Sequence, residues 1–150
     1  MKDQSILVVK PEIIERHHEV KLSLERRGYF SLVNEIRNGW IEVMRQIYCP
    51  QFSSKHITSL ICAYNERWSD EYGLFLLSHN NGNTLAELNK DEGNFKDYQT
   101  QMHWSLRLEF GLPARYNIPV DDKFTIVFNG LHCPKTKDDL ERHLKIFNLS

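Results

Sequence analysis

The chain has 150 residues, 41% hydrophobic and 26% charged, with a formal net charge of −1. That length and composition suit one globular domain over residues 1–150 with a core of its own, and exclude disordered and fibrous classes. Lys and Arg are spread along the chain, so the concentrated basic stripe of a dedicated nucleic-acid binder is missing too. Three widely spaced cysteines, Cys49, Cys62 and Cys133, form no CxxC pair and no disulfide framework, which points to a reducing, cytoplasmic setting. The apolar run near the start is too short for a signal peptide or a membrane span.

Taken in order, Ser5 to Val9 (SILVV) predicts a β-strand ended by Lys10-Pro11, where proline stops ladder donation. From Glu12 the pattern turns helical: Ile13, His17, Val20 and Leu24 share one stripe, with His17 read as half-buried packing, and Gly28 stands at a C-cap position. Tyr29–Ile36 returns to strand character. Trp40–Tyr48 and Lys55–Tyr64 read as helices, the second capped by Ser53 or Ser54. Gly73–Ser78 predicts a buried strand before the turn signal HNNGN. Thr84-Leu85-Ala86-Glu87 has the form of a capping box, and 89–103 that of a long polar surface loop. Phe124–Phe128 predicts the next strand. Thr136 then caps a helix whose stripe is Leu140, Leu144 and Phe147. Together these predict α+β: a ferredoxin-like antiparallel β-sheet covered by helices.

The chemistry gathers around FNGLHCPKT. A histidine between a strand ending in Asn-Gly and a helix, His132, is a nucleophile, a metal ligand or packing. A neutral imidazole is a competent nucleophile toward phosphorus near pH 7. The Cys/His spacing matches no structural zinc pattern, and Cys133, adjacent along an extended chain, points away from His132. Lys10 after the first strand, Arg107 in SLRLEFG and Asn129 add a point charge, a guanidinium fork and an amide. That set suits holding a triphosphate and passing one phosphoryl group.

The chain resembles the nucleoside diphosphate kinase family in three pieces in the right order: ILVVKPEIIERHHEVKLSLERRGYFSLV, SLRLEFG and FNGLHCPKTKDDLERHLKIF. The resemblance implies transfer of a γ-phosphoryl group from a nucleoside triphosphate to a diphosphate, with His132 as the phosphorylated nucleophile. It places Lys10 on the terminal phosphate and ribose hydroxyl, Asn129 on the ribose 3′ hydroxyl, Arg107 on the phosphates and Tyr48 near the lysine. His56 falls where a ring stacks on the base. Mg²⁺ would enter with the nucleotide, and a homo-oligomer (a dimer or an assembly of dimers) is implied, through the short central strand Tyr29–Ile36.

Several family features differ. Cys133-Pro134-Lys135 stands in place of Gly-Ser-Asp, His143 in place of a glutamate that orients the histidine, and NGNTLAEL lacks a phosphate-binding arginine for which Lys90 or Lys96 would have to compensate. The alternative reading is a nucleotide-binding or assembly module with weak or no catalysis.

Overall fold

Every residue of β1 (Ser5–Val9) is buried, because the strand lies inside a sheet covered on both faces, where an apolar run replaces alternation. The protein is described here from a computed structural model covering residues 3–49, 51–93 and 104–149. β1 pairs antiparallel with β3 (Glu71–His79) on one side and with the two-residue β6 (Leu131–His132) on the other. β2 (Tyr29–Asn38) closes the sheet beyond β3, giving the order β2-β3-β1-β6. This is the expected α+β, ferredoxin-like antiparallel arrangement.

Side-chain parity sorts the two faces. Leu7, Val9, Phe75 and Leu77 pack with α1 (His17–Arg26), α4 (Thr84–Glu92) and α5 (Leu106–Phe110). Ile6, Val8, Leu74 and Leu76 pack with α2 (Trp40–Tyr48), α3 (Ser54–Arg67) and α6 (Lys137–Ile146). His132 lies opposite Val8 and Leu131 opposite Val9. Residues paired across a ladder share a face, so His132 turns toward the α2/α3/α6 layer. Leu131 and Cys133 join the other cluster. A slip of one residue would exchange them.

Several local expectations are met. α2 has the expected bounds, Ser53 caps α3 by accepting from the His56 N–H at 3.3 Å, and Thr136 caps α6 by accepting from Asp139 N–H at 3.1 Å. Gly28, at φ +94, follows the end of α1. His17 is buried and stacked on Phe75, with Nε2 2.6 Å from Asn34 Oδ1.

Others are corrected. The chain after Pro11 forms a 3₁₀ turn over Pro11–Arg16 before α1, and this turns Glu12 inward. α4 does start at Thr84, but no capping box forms. Asp3 accepts from both the N–H and the hydroxyl of Thr84, across the sequence. The predicted loop at 89–103 is helical as far as Glu92, and 94–103 fall outside the described residues. Phe124–Phe128 contributes only β5 (Thr125–Ile126), which pairs with β4 (Ile118–Pro119) in a separate ladder, while Phe128 is spent on the core. The strand that carries His132 is β6. Tyr29–Ile36 belongs to an edge strand, not a central one.

Candidate active site

The Asn-Gly before β6 has a geometric job. Gly130 sits at φ +81, and a Cβ there would lie 2.9 Å from Ile13 Cδ1, so the backbone can pass this close only as glycine. Its carbonyl accepts from Lys10 N–H at 2.8 Å, and its own N–H donates to Glu12 Oε2 at 3.1 Å. The other carboxylate oxygen of Glu12 accepts from the Tyr64 hydroxyl at 2.8 Å. These bonds lay NGLH beside VVKPE and bring Lys10, Asn129 and His132 together.

A cavity of about 320 Å³ opens there, lined by Lys10, Tyr48, Arg107, Asn129 and His132 together with Lys135. Five of the six residues singled out by sequence thus share one cavity. His56 does not line it. Arg107 lies on the short helix α5, whose first turn is capped by Ser105 accepting from the Leu108 N–H at 3.0 Å.

At the polar end, His132 is held between two rings. Its Nε2 is 2.8 Å from His143 Nε2, and its Nδ1 is 3.4 Å from the Tyr48 hydroxyl. His143 Nδ1 in turn donates to the Asp139 carbonyl at 2.7 Å. Burial, followed by His143 and the cations Lys10, Arg107 and Lys135, holds the His132 imidazole well below its ordinary 6.5. Burial also lowers His143, with Asp139 pulling the other way. Both rings are therefore neutral near pH 7. Burial likewise raises the Tyr48 phenol, which stays protonated.

The cations differ in what already engages them. Arg107 donates to the Gly93 and Leu131 carbonyls at 3.1 Å each and pairs with the fully buried carboxylate of Glu92 at 3.2 Å. Its Nε finds no hydrogen-bond partner among the described residues. Lys135 Nζ reaches the second oxygen of Glu92. Lys10 makes no ion pair with a described residue, and burial pushes its ammonium down to about 8, partly offset by Glu12. It remains mostly charged at pH 7.

The opposite end is aromatic and aliphatic: Phe52, Leu60, Tyr64, Phe124 and Ile126. Tyr48 stacks on Phe52 at 5.2 Å, and Phe124 meets Phe52 edge-on at 5.4 Å. His56 lies flat on Phe124, with centroids 3.9 Å apart and planes 8° apart, while its Nε2 is 3.2 Å from Asp121. No ring fits between two rings so spaced. His56 therefore backs Phe124, and of these two rings Phe124 is the one that meets the cavity.

The same backbone arrangement recurs in known proteins. A nucleoside-diphosphate kinase of Borrelia burgdorferi, solved as a transition-state mimic with vanadate and ADP, superposes with a TM-score of 0.70 over 96% of this chain and 85% of its own, at 17% identity. The Aquifex aeolicus enzyme gives 0.70 over 97% and 94% at 10% identity, and that of Encephalitozoon cuniculi 0.68 over 99% and 90% at 14%. The chain has the nucleoside-diphosphate kinase fold. No protein-family model and no curated protein sequence matches it.

Within that fold, sequence reasoning missed the residues that act at long range. Glu12 and Glu92 carry no local signal, Lys135 stands out only as part of the turn that departs from the family, and their distant partners alone reveal what they do. Lys90, considered as a substitute cation, instead pairs with Glu87 on the surface of α4, and Lys96 lies outside the described residues. The turn Cys133-Pro134-Lys135 is held by Asp139 Oδ2, which accepts from Lys135 N–H at 3.3 Å, and by Asn89, which donates to the Pro134 carbonyl at 3.0 Å. Arg142 also escaped notice. It donates to the Gln46 and Ile47 carbonyls at the end of α2, at 2.8 and 3.3 Å, and so fixes Tyr48 relative to α6. Among the described residues no three His, Cys, Asp or Glu side chains converge as a metal cage. A Mg²⁺ that keeps its waters and binds phosphate oxygens needs none.

Proposed function

We propose that the protein transfers the γ-phosphoryl group of a nucleoside triphosphate to a nucleoside diphosphate in a ping-pong reaction through phospho-His132. The observation that carries this reading is the convergence of Lys10, Tyr48, Arg107, Asn129 and His132 on one cavity. Within it a neutral imidazole presents Nδ1 beside a tyrosine hydroxyl, with cations close by. Phosphoryl transfer needs positioning and charge stabilisation above all. Lys10, free of an ion pair among the described residues, takes the terminal phosphate and the ribose hydroxyl. Arg107, on the polar wall of the cavity, takes the phosphates, and Asn129 meets the ribose 3′ hydroxyl. Tyr48 stands over the reacting nitrogen. The base lies against Phe124, with His56 as its backing. Mg²⁺ would enter with the nucleotide, with no protein cage among the described residues to hold it, and would supply charge neutralisation for the phosphates.

Incubation with γ-labelled ATP and Mg²⁺ tests the reading. The wild type should take up acid-labile, base-stable label, and His132→Ala none. Label that persists in His132→Ala would remove His132 as the nucleophile.

A second reading, a nucleotide-binding or assembly module with slow transfer, is favoured by one observation. Glu92 already places a carboxylate between Arg107 and Lys135, where a phosphate would draw on both cations. Nucleotide binding without label selects it. The assembly part of either reading is a homodimer through the β2 edge, where Phe30, Leu32 and Ile36 are each about half exposed. Sedimentation as a monomer at micromolar concentration would rule the dimer out.

A further inference from the structure

Asp121 sits in the turn between β4 and β5, the two-residue ladder that stands apart from the main sheet. An isolated two-stranded ribbon is marginal in water, and Pro119 brings no N–H to this one. Within the turn, the Val120 and Asp121 N–H groups donate to the Phe124 carbonyl at 2.9 and 3.2 Å. Ile118, Val120 and Phe124 also pack against the core, but apolar packing is not directional. The directional contacts come from the Asp121 carboxylate. Its Oδ1 accepts from the Lys123 and Phe124 N–H groups at 2.9 and 2.8 Å, which closes the turn. Its Oδ2 accepts from His56 Nε2 at 3.2 Å and from Lys55 Nζ at 3.3 Å, both on the first turn of α3.

These donors, led by the Lys123 N–H and His56, hold the Asp121 carboxyl well below the usual carboxylate range, so it stays ionised. A carboxylate only accepts, so His56 keeps a proton on Nε2. One carboxylate thus grips the backbone of Phe124 with one oxygen and the ring of His56 with the other. Those two rings are the pair stacked 3.9 Å apart.

We infer that Asp121 is the positioning residue of the aromatic end: it ties the β4–β5 turn to α3, so that Phe124 stays stacked on His56 and keeps its place in the cavity wall. The tie rests on contacts alone, and its service to a base rests on the nucleotide reading proposed above. Its effect lies in placement, not in stability. The Asp121 side chain is 30% exposed and that of Lys55 64%, and ion pairs so exposed add little to folding. Without the tie, Phe124 remains on the ribbon, but its ring is no longer fixed relative to His56. A base must then order the ring in order to stack on it, which lowers affinity. Phosphates meet the polar end, whose groups are bonded to the sheet and to backbone carbonyls, and do not register the change.

Full-length variants test this: Asp121→Ala, which loses turn and tie, and Lys55→Met with His56→Phe, which keeps the turn and a ring against Phe124 but cuts the tie. The first readout is the NMR spectrum of the ring protons. In the wild type the Phe124 protons lie upfield of free phenylalanine, because the His56 ring faces them. In Asp121→Ala they should move toward the free position, while urea unfolding stays close to wild type. The second readout is titration calorimetry. ADP affinity should fall about three- to tenfold in either variant, no more than loss of the stacking ring itself would cost, with tripolyphosphate affinity unchanged. All three substitutions together should bind ADP no more weakly than Asp121→Ala, because they cut one tie. Phe124 resonances that stay in place in Asp121→Ala overturn the tie. Wild-type ADP affinity in folded Asp121→Ala overturns its role toward a base, and so does an equal loss of ADP and tripolyphosphate. If the wild type binds neither ligand, the nucleotide reading falls, and the ring resonances alone decide whether the tie exists.

Discussion

The two ends of the cavity are built by different means. At the polar end each group is tied to the sheet or to backbone: Gly130 to Lys10 and Glu12, Arg107 to two carbonyls and Glu92, His132 through His143 to a carbonyl on α6. At the aromatic end the contacts are rings on rings, and Phe124 is carried next to a two-residue ladder outside the main sheet. Directional chemistry fails with small displacements, so its groups need anchors that hold them to a fraction of an ångström. Stacking is broad in its geometry and tolerates a looser mount. The polar end should therefore tie chemistry to fold stability, and the aromatic end should affect mainly what binds.

The sharpest break in that comparison is Arg107→Met. It strips the buried carboxylate of Glu92 of one partner and leaves the Gly93 and Leu131 carbonyls short of a donor. Removing one member of a buried pair costs about 3–5 kcal/mol. Lys135, half exposed, still reaches Glu92, so the expected loss in urea unfolding is about 3 kcal/mol, the low end of that range. Adding Glu92→Met to the variant should restore most of it, because the unpaired charge is gone. A loss below about 1 kcal/mol, the size of an exposed ion pair, would mean that Lys135 alone satisfies Glu92 and that the polar end is less anchored than its contacts suggest.

How much of this was legible in the sequence depends on the reach of each signal. SILVV, the helix Trp40–Tyr48, the Ser53 and Thr136 caps and Gly28 carry their signals within a few residues, and they fall where the periodicity and capping rules place them. β6 and α5 have two and five residues, too short for any period to register, so His132 read as a strand exit and no element was assigned to Arg107. Phe124–Phe128 has the composition of a strand, but tertiary packing takes Phe128 for the core and leaves two residues to pair. The cap of α4 comes from Asp3, 81 residues away. For the same reason Lys10, Arg107, Asn129 and His132 could be named by their chemistry, whereas Glu92, Lys135 and Glu12 could not. Nothing local distinguishes a lysine that meets a buried glutamate from one that meets water.

The smaller effect lies at the other end. Phe124 is half-buried, and its ring meets His56 face to face and Phe52 edge to face. Phe124→Ala gives up part of the burial of one aromatic side chain and two ring contacts, worth about 0.5–1.5 kcal/mol each. The main change should appear in binding. A base stacked on an aromatic side chain contributes about 1–3 kcal/mol, so the variant should bind ADP about tenfold more weakly, the weaker half of that range. Inorganic tripolyphosphate uses only the polar end, and its affinity should stay as it is. Titration calorimetry with both ligands separates the cases. If the two affinities fall together, Phe124 supports the whole cavity wall and the ends are coupled. If only the nucleotide weakens, base and phosphates are gripped independently, and His56 acts on the base through the ring it backs.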